Sequence, residues 1–357
     1  DQYDVIISFL EGPSAHYHSL LKEYASRNFT WIHTNLEINH WSLKYWENLQ
    51  KESEFYQSMD RVLCVSQGVK EVADRLFKLK GNSQVLYNLI DRDKICRKAK
   101  EENVEKQKFT ICNVGRLAEQ KRQDRIIEVA KILKDKGRNV EFWILGVGPL
   151  ESVLKEQARK AGVENMVLFK GFKSNPYPYM QAADIFLLTS DTEGYPTVVC
   201  EALCLGKPIV STSVTGVDEL LANGAGVVCD YNVEKIAEKL DELIKSPKML
   251  ANYAETSNKR GREFDRNSVM EHIYSIIYDI TVVSADVGEP KFSIPGVKVF
   301  LVNFKLPRTI RALLFILTAL IYVAICNGVI LVEYFQDCSI LKKIFRWKKM
   351  MVDVRTL

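Results

Sequence analysis

Residues 109–148 read FTICNVGRLAEQKRQDRIIEVAKILKDKGRNVEFWILGVG. The run opens with an apolar, β-rich stretch, Phe109–Val114, and Gly115 follows it. Asp124–Lys136 then carries Ile126, Ile127, Ala130, Ile132 and Leu133 at helical spacing. A second β-rich stretch, Val140–Leu145, ends on Gly146-Val-Gly148. A continuous apolar strand, an amphipathic helix and another apolar strand predict a βαβ unit, with a parallel sheet covered on both faces.

The same alternation extends both ways. Strand-like runs fall at Val5–Phe9, Phe29–His33, Val62–Val65, Val85–Tyr87, Val167–Phe169, Ile185–Thr189, Pro208–Ser211 and Gly226–Cys229, with helix-like segments between most of them. A charged stretch between Asn88 and Gln107 interrupts the pattern and reads as a linker. The expected division is therefore an α/β lobe at 1–95 with about four strands, a linker at 96–107, and a second α/β lobe at 108–265 with about six. A closing helix is expected at 266–280 and a tail at 281–357. Two domains suit 357 residues.

Composition narrows the class. Apolar residues make up 47% and charged residues 26%, which excludes a mainly disordered chain. The net charge of +4 is too small to indicate a nucleic-acid binder. The charge is uneven: residues 298–357 hold ten of the 49 basic residues and three of the 45 acidic ones. Within them, Ala312–Val332 is a 21-residue uncharged run flanked by Arg308, Arg311 and Glu333. Its length predicts a helix that crosses or inserts into a membrane; the alternative is a buried or membrane-surface helix. The basic, aromatic strip Leu341–Met351 predicts attraction to anionic lipid. The eight cysteines form no CxxC pair, so free buried thiols are expected rather than a zinc site or a disulfide framework.

Chemistry concentrates on the strand–helix turns of the second lobe. Glu193-Gly-Tyr-Pro-Thr-Val-Val-Cys-Glu201 follows the strand at 185–189. Pro196 suits the first turn of a helix, whose free N–H groups at Thr197, Val198 and Val199 would attract an anion. Glu193 sits in the loop beside that site and Glu201 one turn inside the helix. Two carboxylates flanking an anion site suit a ligand bearing both phosphates and hydroxyls. On the turn after Phe109–Val114, Gly115 permits the bend, and Arg116 and Lys121 can neutralise a diphosphate without a metal. Gly146-Val-Gly148 and Gly171 mark further turns at strand ends. Asp91-Arg-Asp93 has the spacing of a metal-binding acidic pair but lies at the linker, and no metal site is expected there.

This order of motifs resembles the nucleotide-sugar lobe of the GT-B retaining glycosyltransferases, family 4 (glycosyl transferases group 1). Its elements are Gly115-Arg116…Lys121, Gly146-x-Gly148, Gly171-Phe172 and Glu193-x7-Glu201. Asn175-Pro-Tyr-Pro-Tyr-Met and Gly206-Lys-Pro-Ile-Val are also similar, and the resemblance covers about residues 1–280. It implies two Rossmann-like lobes and a metal-independent transfer of sugar from a nucleotide diphosphate donor, such as a UDP- or GDP-sugar. The acceptor would be a glycan or lipid-linked glycan at the cytoplasmic face of a membrane. By the same resemblance, Arg116 and Lys121 would hold the diphosphate, Glu193 the donor sugar and Glu201 the ribose. Gly115, Gly146, Gly171, Gly194, Tyr195, Thr197 and Val198 would complete the donor site.

In the first lobe, Phe9-Leu-Glu-Gly-Pro13, Trp31-Ile-His-Thr-Asn35, Cys64-Val-Ser66 and Tyr87-Asn-Leu-Ile-Asp91 resemble acceptor-side and hinge segments. His33 falls where the family often has a His near the reacting centre. His16, His18, His40 and His272 have no such placement, and a surface position is expected for His16 and His18. The family's first lobe normally opens with a βαβ unit bearing a Gly-rich loop. Nothing before Asp1 supplies it, so the resemblance implies that roughly 70–100 residues are absent. Two readings stay open at this point: a glycosyltransferase, or a catalytically incomplete, membrane-tethered remnant that binds nucleotide sugar. An epimerase or phosphorylase of the same fold is disfavoured, because no further acid/base groups and no cofactor lysine are evident.

Overall fold

The computed structural model describes residues 3–277 and three further strands at 280–285, 298–302 and 329–331. The chain divides into two compact units, Asp1–Arg266 and Asn267–Leu357.

The first unit holds two parallel sheets. In the first lobe, β1 (Tyr3–Ser8), β2 (Ala25–Ile32), β3 (Arg61–Cys64) and β4 (Ser83–Val85) lie in the order β1-β2-β3-β4. Helices α1 (Pro13–Leu21), α2 (Leu49–Gln57) and α3 (Gln67–Phe77) connect them. Ser66 caps α3 by accepting the Val69 N–H, and the helix buries Val69, Val72, Ala73 and Phe77 on one face.

In the second lobe, β5 (Phe109–Val114), β6 (Val140–Leu145), β7 (Val167–Gly171), β8 (Ile185–Leu188), β9 (Ile209–Thr212) and β10 (Val227–Cys229) form a six-stranded sheet. Its order is β10-β9-β8-β5-β6-β7. All ten strand-like runs of the sequence are strands, with shifts of up to four residues at their ends. The helices of this lobe are α5 (Gln123–Asp135), α6 (Glu151–Lys160), α7 (Tyr177–Ala182), α8 (Thr197–Cys204), α9 (Val217–Leu220), α10 (Val233–Lys245) and α11 (Pro247–Gly261). The helix expected at 124–136 is α5. It seats Ile126, Ala130 and Leu133 against Ile111, Phe142 and Leu187 of the sheet, all nearly inaccessible to solvent. Ile132 is only partly buried.

The strand order positions the site. The chain starts at β5, winds outward through β6 and β7, then returns to place β8 on the other side of β5. Between β5 and β8 the winding direction reverses, and open parallel sheets bind ligands beyond the carboxyl ends of such strands. Gly115 and Arg116 follow β5, and Thr189–Glu193 follows β8. The two motifs therefore face one crevice.

Two expectations need correction. The charged stretch between Asn88 and Gln107 is not continuous linker, since α4 (Arg92–Lys98) forms within it. The Asp91 carboxylate accepts the Lys94 N–H at 2.9 Å and caps α4, Ile95 is buried, and Arg97 and Lys98 sit in the last turn. The closing helix is α12 (Arg266–Ile277), and Ile280 already begins the next strand.

In the second unit, β11 (Ile280–Ala285) pairs in parallel with both β12 (Lys298–Val302) and β13 (Val329–Leu331). The predicted membrane helix falls on 312–332. Of that run 312–328 and Val332 lie outside the described residues, and Val329–Leu331 is strand rather than helix. Among the described residues, no helix is long and apolar enough to cross a membrane. The strip 341–351 also lies outside them. Cys64, Cys112, Cys200, Cys204 and Cys229 are buried free thiols and Cys96 is half-buried, as expected; Cys326 and Cys338 lie outside the described residues.

Candidate active site

Close backbone packing shapes the floor of the crevice. The Gly115 N–H donates to Leu145 O, and the Gly146 N–H to Gly171 O, both at 2.9 Å. Gly146 has φ +138°, and a Cβ there would lie 2.0 Å from Gly115 O. The turn after β6 can therefore touch the turn after β5 only without a side chain. Gly115, Gly146 and Gly171 thus end three neighbouring strands side by side.

On the first turn Arg116 is exposed, and its carbonyl accepts from Gln123 Nε2 at 3.1 Å. Among the described residues its guanidinium has no ion pair, whereas the next cations along the chain do. Lys121 Nζ lies 2.6 Å from Glu193 Oε1, with the two side chains only 20% and 13% exposed. Ser190 Oγ donates to the same Glu193 oxygen at 2.7 Å. The cation expected on phosphate and the carboxylate expected on sugar are thus ion-paired to each other.

Downstream, α8 opens at Thr197 after Pro196. The Val199 N–H already donates to Pro196 O at 3.0 Å, so the expected anion site of three N–H groups contracts to Thr197 and Val198. Thr197 is exposed and Val198 half-buried. Tyr195 is buried and stacks on Tyr87 of the first lobe, with ring centroids 5.2 Å apart.

Glu201 lies on α8, where Tyr177 OH donates to its Oε1 at 3.4 Å. Burial raises its pKa to about 7, against the opposing pull of that hydrogen bond. The folded form therefore holds a proton that the unfolded chain releases near the ordinary carboxylate value. Stability falls as pH rises between about 4.5 and about 7, and stays reduced above that. Glu201→Gln removes this cost. Its melting temperature is expected to match wild type at pH 4 and to exceed it at pH 8, a gain on the order of 2–3 kcal/mol. Thermal denaturation at the two pH values checks this; equal gains at both would refute it.

The first lobe closes the crevice. Gly194 meets His33 so tightly that a Cβ would lie 1.9 Å from His33 O. Ser66 Oγ donates to Gly194 O at 2.8 Å, and Asn35 Nδ2 to Thr215 Oγ1 at 2.9 Å. Glu219 accepts the Gly68 N–H and the Tyr87 hydroxyl. Glu11 is fully buried and accepts both the His33 N–H at 2.9 Å and Trp41 Nε1 at 3.3 Å, which fixes the loop after β2.

A cavity of about 330 Å³ opens at this seam. His33, Thr34, Asn39 and Trp41 line it from the first lobe, and Gln120, Thr192, Glu193 and Gly194 from the second. Two buried polar atoms in these walls, His33 Nε2 and Thr192 Oγ1, lack protein partners. Burial lowers the His33 pKa, opposed by Glu11 and the Phe9 backbone, which favours the neutral imidazole near pH 7. An uncharged ring nitrogen with spare hydrogen-bonding capacity suits a ligand rich in hydroxyls.

Residues 95–260 match the family described as glycosyl transferases group 1. That match takes in the six strands of the second lobe. An uncharacterized glycosyltransferase of Methanocaldococcus jannaschii is 33% identical over 175 residues, 47% of this chain and 43% of the relative. A Campylobacter jejuni N-acetylgalactosamine-N,N'-diacetylbacillosaminyl-diphospho-undecaprenol 4-alpha-N-acetylgalactosaminyltransferase is 31% identical over 215 residues, 59% and 58% of the two chains. The chain spans about half the length of the curated relatives it matches. Among solved structures, Anabaena HepE in complex with UDP-glucose superposes with a TM-score of 0.64 at 20% identity, covering 77% of this chain and 78% of HepE. These matches bear out the GT-B fold class of two parallel α/β lobes.

Sequence and structure agree in bringing Gly115, Arg116, Lys121, Glu193, Gly194 and His33 to the mouth of the second lobe. Two histidines outside the site, His16 and His18, lie deeper than the surface position expected of them. His18 is buried, bridging Ser8 Oγ and Asn28 Oδ1 at 2.9 Å each, and His16 is half-buried against Trp46. His40 pairs with buried Glu52 at 2.7 Å. Trp41 and Asn39 were not foreseen, because no local pattern marks a loop residue as facing another lobe. Gln120 and Thr192 each adjoin a foreseen residue, and that adjacency was the available signal.

Proposed function

We propose that this chain is a retaining glycosyltransferase that moves a sugar from a nucleoside diphosphate donor to a glycan or lipid-linked glycan. One observation carries the reading. The seam cavity joins His33 to Glu193, and Glu193 is already in contact with Lys121 at the turn that also presents Arg116. The cavity is of the size of a hexose with surrounding water, and its walls are polar. A diphosphate entering from the Arg116 side would meet Arg116, Lys121 and the N–H groups of Thr197 and Val198. These groups stabilise the charge that grows on the departing phosphate as the glycosidic bond breaks. Glu193 and His33 would hold the sugar hydroxyls, Glu201 the ribose, and the backbone at Gly171 the base.

The nucleotide in the solved HepE complexes and the diphospho-undecaprenol substrate named for the Campylobacter relative support the donor and acceptor classes. The basic and apolar composition of 298–357 supports association with an anionic membrane. Two cations and a helix N-terminus supply the positive charge, so the reaction needs no divalent ion.

A mass-spectrometric screen of UDP- and GDP-sugars tests the reading. Transfer or slow donor hydrolysis is expected, unchanged by EDTA. Arg116→Ala is expected to lower kcat/KM by about 10²-fold with an unchanged circular dichroism spectrum. No turnover of any donor, or a loss with EDTA that manganese restores, would overturn it.

A further inference from the structure

Lys121 and Glu193 come from different turns, so something must hold those turns in register. A cluster just outside the cavity does this. The Asp191 N–H donates to Gln120 O at 2.9 Å, and Thr189 Oγ1 donates to Lys121 O at 3.0 Å. The Asp191 carboxylate lies 2.6 Å from Arg125 Nη2 and 3.0 Å from Arg122 Nη1. Arg125 is buried, donates from Nη1 to Thr189 O at 2.8 Å, and stacks its guanidinium over the Tyr231 ring. Tyr231 OH in turn donates to Asp191 O and Ser213 O. Arg122 follows Lys121 directly and has φ +48°, a left-handed conformation unfavourable for a residue with a side chain. Its guanidinium is fastened by Asp124 and Asp191.

We propose that Asp191 is a positioning residue: it ties the turn bearing Lys121 to the loop bearing Glu193 and so sets the diphosphate site. This rests on the donor-site reading above. Asp191 is not among the residues lining the cavity and acts through Lys121. Two features distinguish this role from a surface ion pair. One partner, Arg125, is only 7% exposed at its side chain and is itself fixed on Thr189 O, so the half-exposed Asp191 carboxylate is held by a cation that cannot swing into solvent. The bonds also join two segments about 70 residues apart in sequence and belong to both catalytic turns at once.

The test uses the full chain, with uridine diphosphate as the calorimetric probe. Wild type, Asp191→Ala, Lys121→Ala and the double variant are compared. Asp191→Ala is expected to weaken binding about tenfold in the wild-type background and less than about twofold in the Lys121→Ala background. An equal loss in both backgrounds, or no loss in either, would overturn the proposal. A ligand-free arm follows amide hydrogen exchange. Segments 116–122 and 189–194 are expected to lose protection together in Asp191→Ala, while the strands keep theirs. Loosening of only one segment would also overturn it. Asp191→Asn, which keeps the side-chain size, serves if the alanine variant misfolds. Failure of wild type to bind the probe would count against the donor reading, and the exchange result would still decide the clamp.

Discussion

Glu193→Gln is expected to lower turnover by about 10²–10³-fold and yet to tighten binding of the sugar-free nucleoside diphosphate. On the proposed donor-site reading, the first effect follows from removing a charged contact to the donor sugar, beside the reacting bond. The second follows from the ion pair in the empty site. Lys121 and Glu193 are 2.6 Å apart and mostly shielded from water, so a diphosphate must draw Lys121 away from its carboxylate partner. With Gln at 193 the lysine is unpaired beforehand, and about a tenfold gain in affinity for uridine diphosphate is expected. Ser190 Oγ can still donate to the amide oxygen, so the loop keeps its anchor. Steady-state kinetics and calorimetry on one preparation read both effects. Unchanged or weaker nucleotide affinity would show that the ion pair does not compete with the donor.

Gly194→Ala is the second large effect. The added methyl would sit 1.9 Å from the His33 carbonyl oxygen, and the obstruction is backbone on both sides. No rotamer change relieves it, so the loops must part. Overpacking of this kind costs about 1–3 kcal/mol. The functional loss should be larger, because parting moves Glu193 away from His33 and breaks the Ser66–Gly194 hydrogen bond. A displacement near 1 Å at a reacting centre can cost about 10²-fold in rate. The expected result is a folded protein with a modestly lower melting temperature and kcat/KM reduced by at least about that factor. Near wild-type kinetics would mean that the close lobe contact is not the catalytic arrangement.

The amino-acid sequence shows the alternation of strands and helices, the two lobes, and the turns on which the charged residues lie. These are local properties. Apolar runs such as Phe109–Val114, the helical spacing of 124–136, and Gly or Pro at the turn are each read within a dozen residues. It also gave the ten strands nearly in place, because buried parallel strands are continuous apolar runs. Where local charge misled, as in the stretch holding α4, the deciding interactions were the Asp91 cap and the burial of Ile95.

Tertiary structure alone decided which turns meet. Glu193 reaches Lys121 because β8 returns to lie beside β5, across a sequence separation of 72 residues, and no local pattern encodes that pairing. The approach of His33 to Gly194, the burial of His18 and the clamp around Asp191 have the same origin. Each joins groups whose neighbours are set by sheet order and lobe packing. A residue's own surroundings in sequence specify its conformation, but its chemistry here depends on what the fold brings to within 3 Å of it.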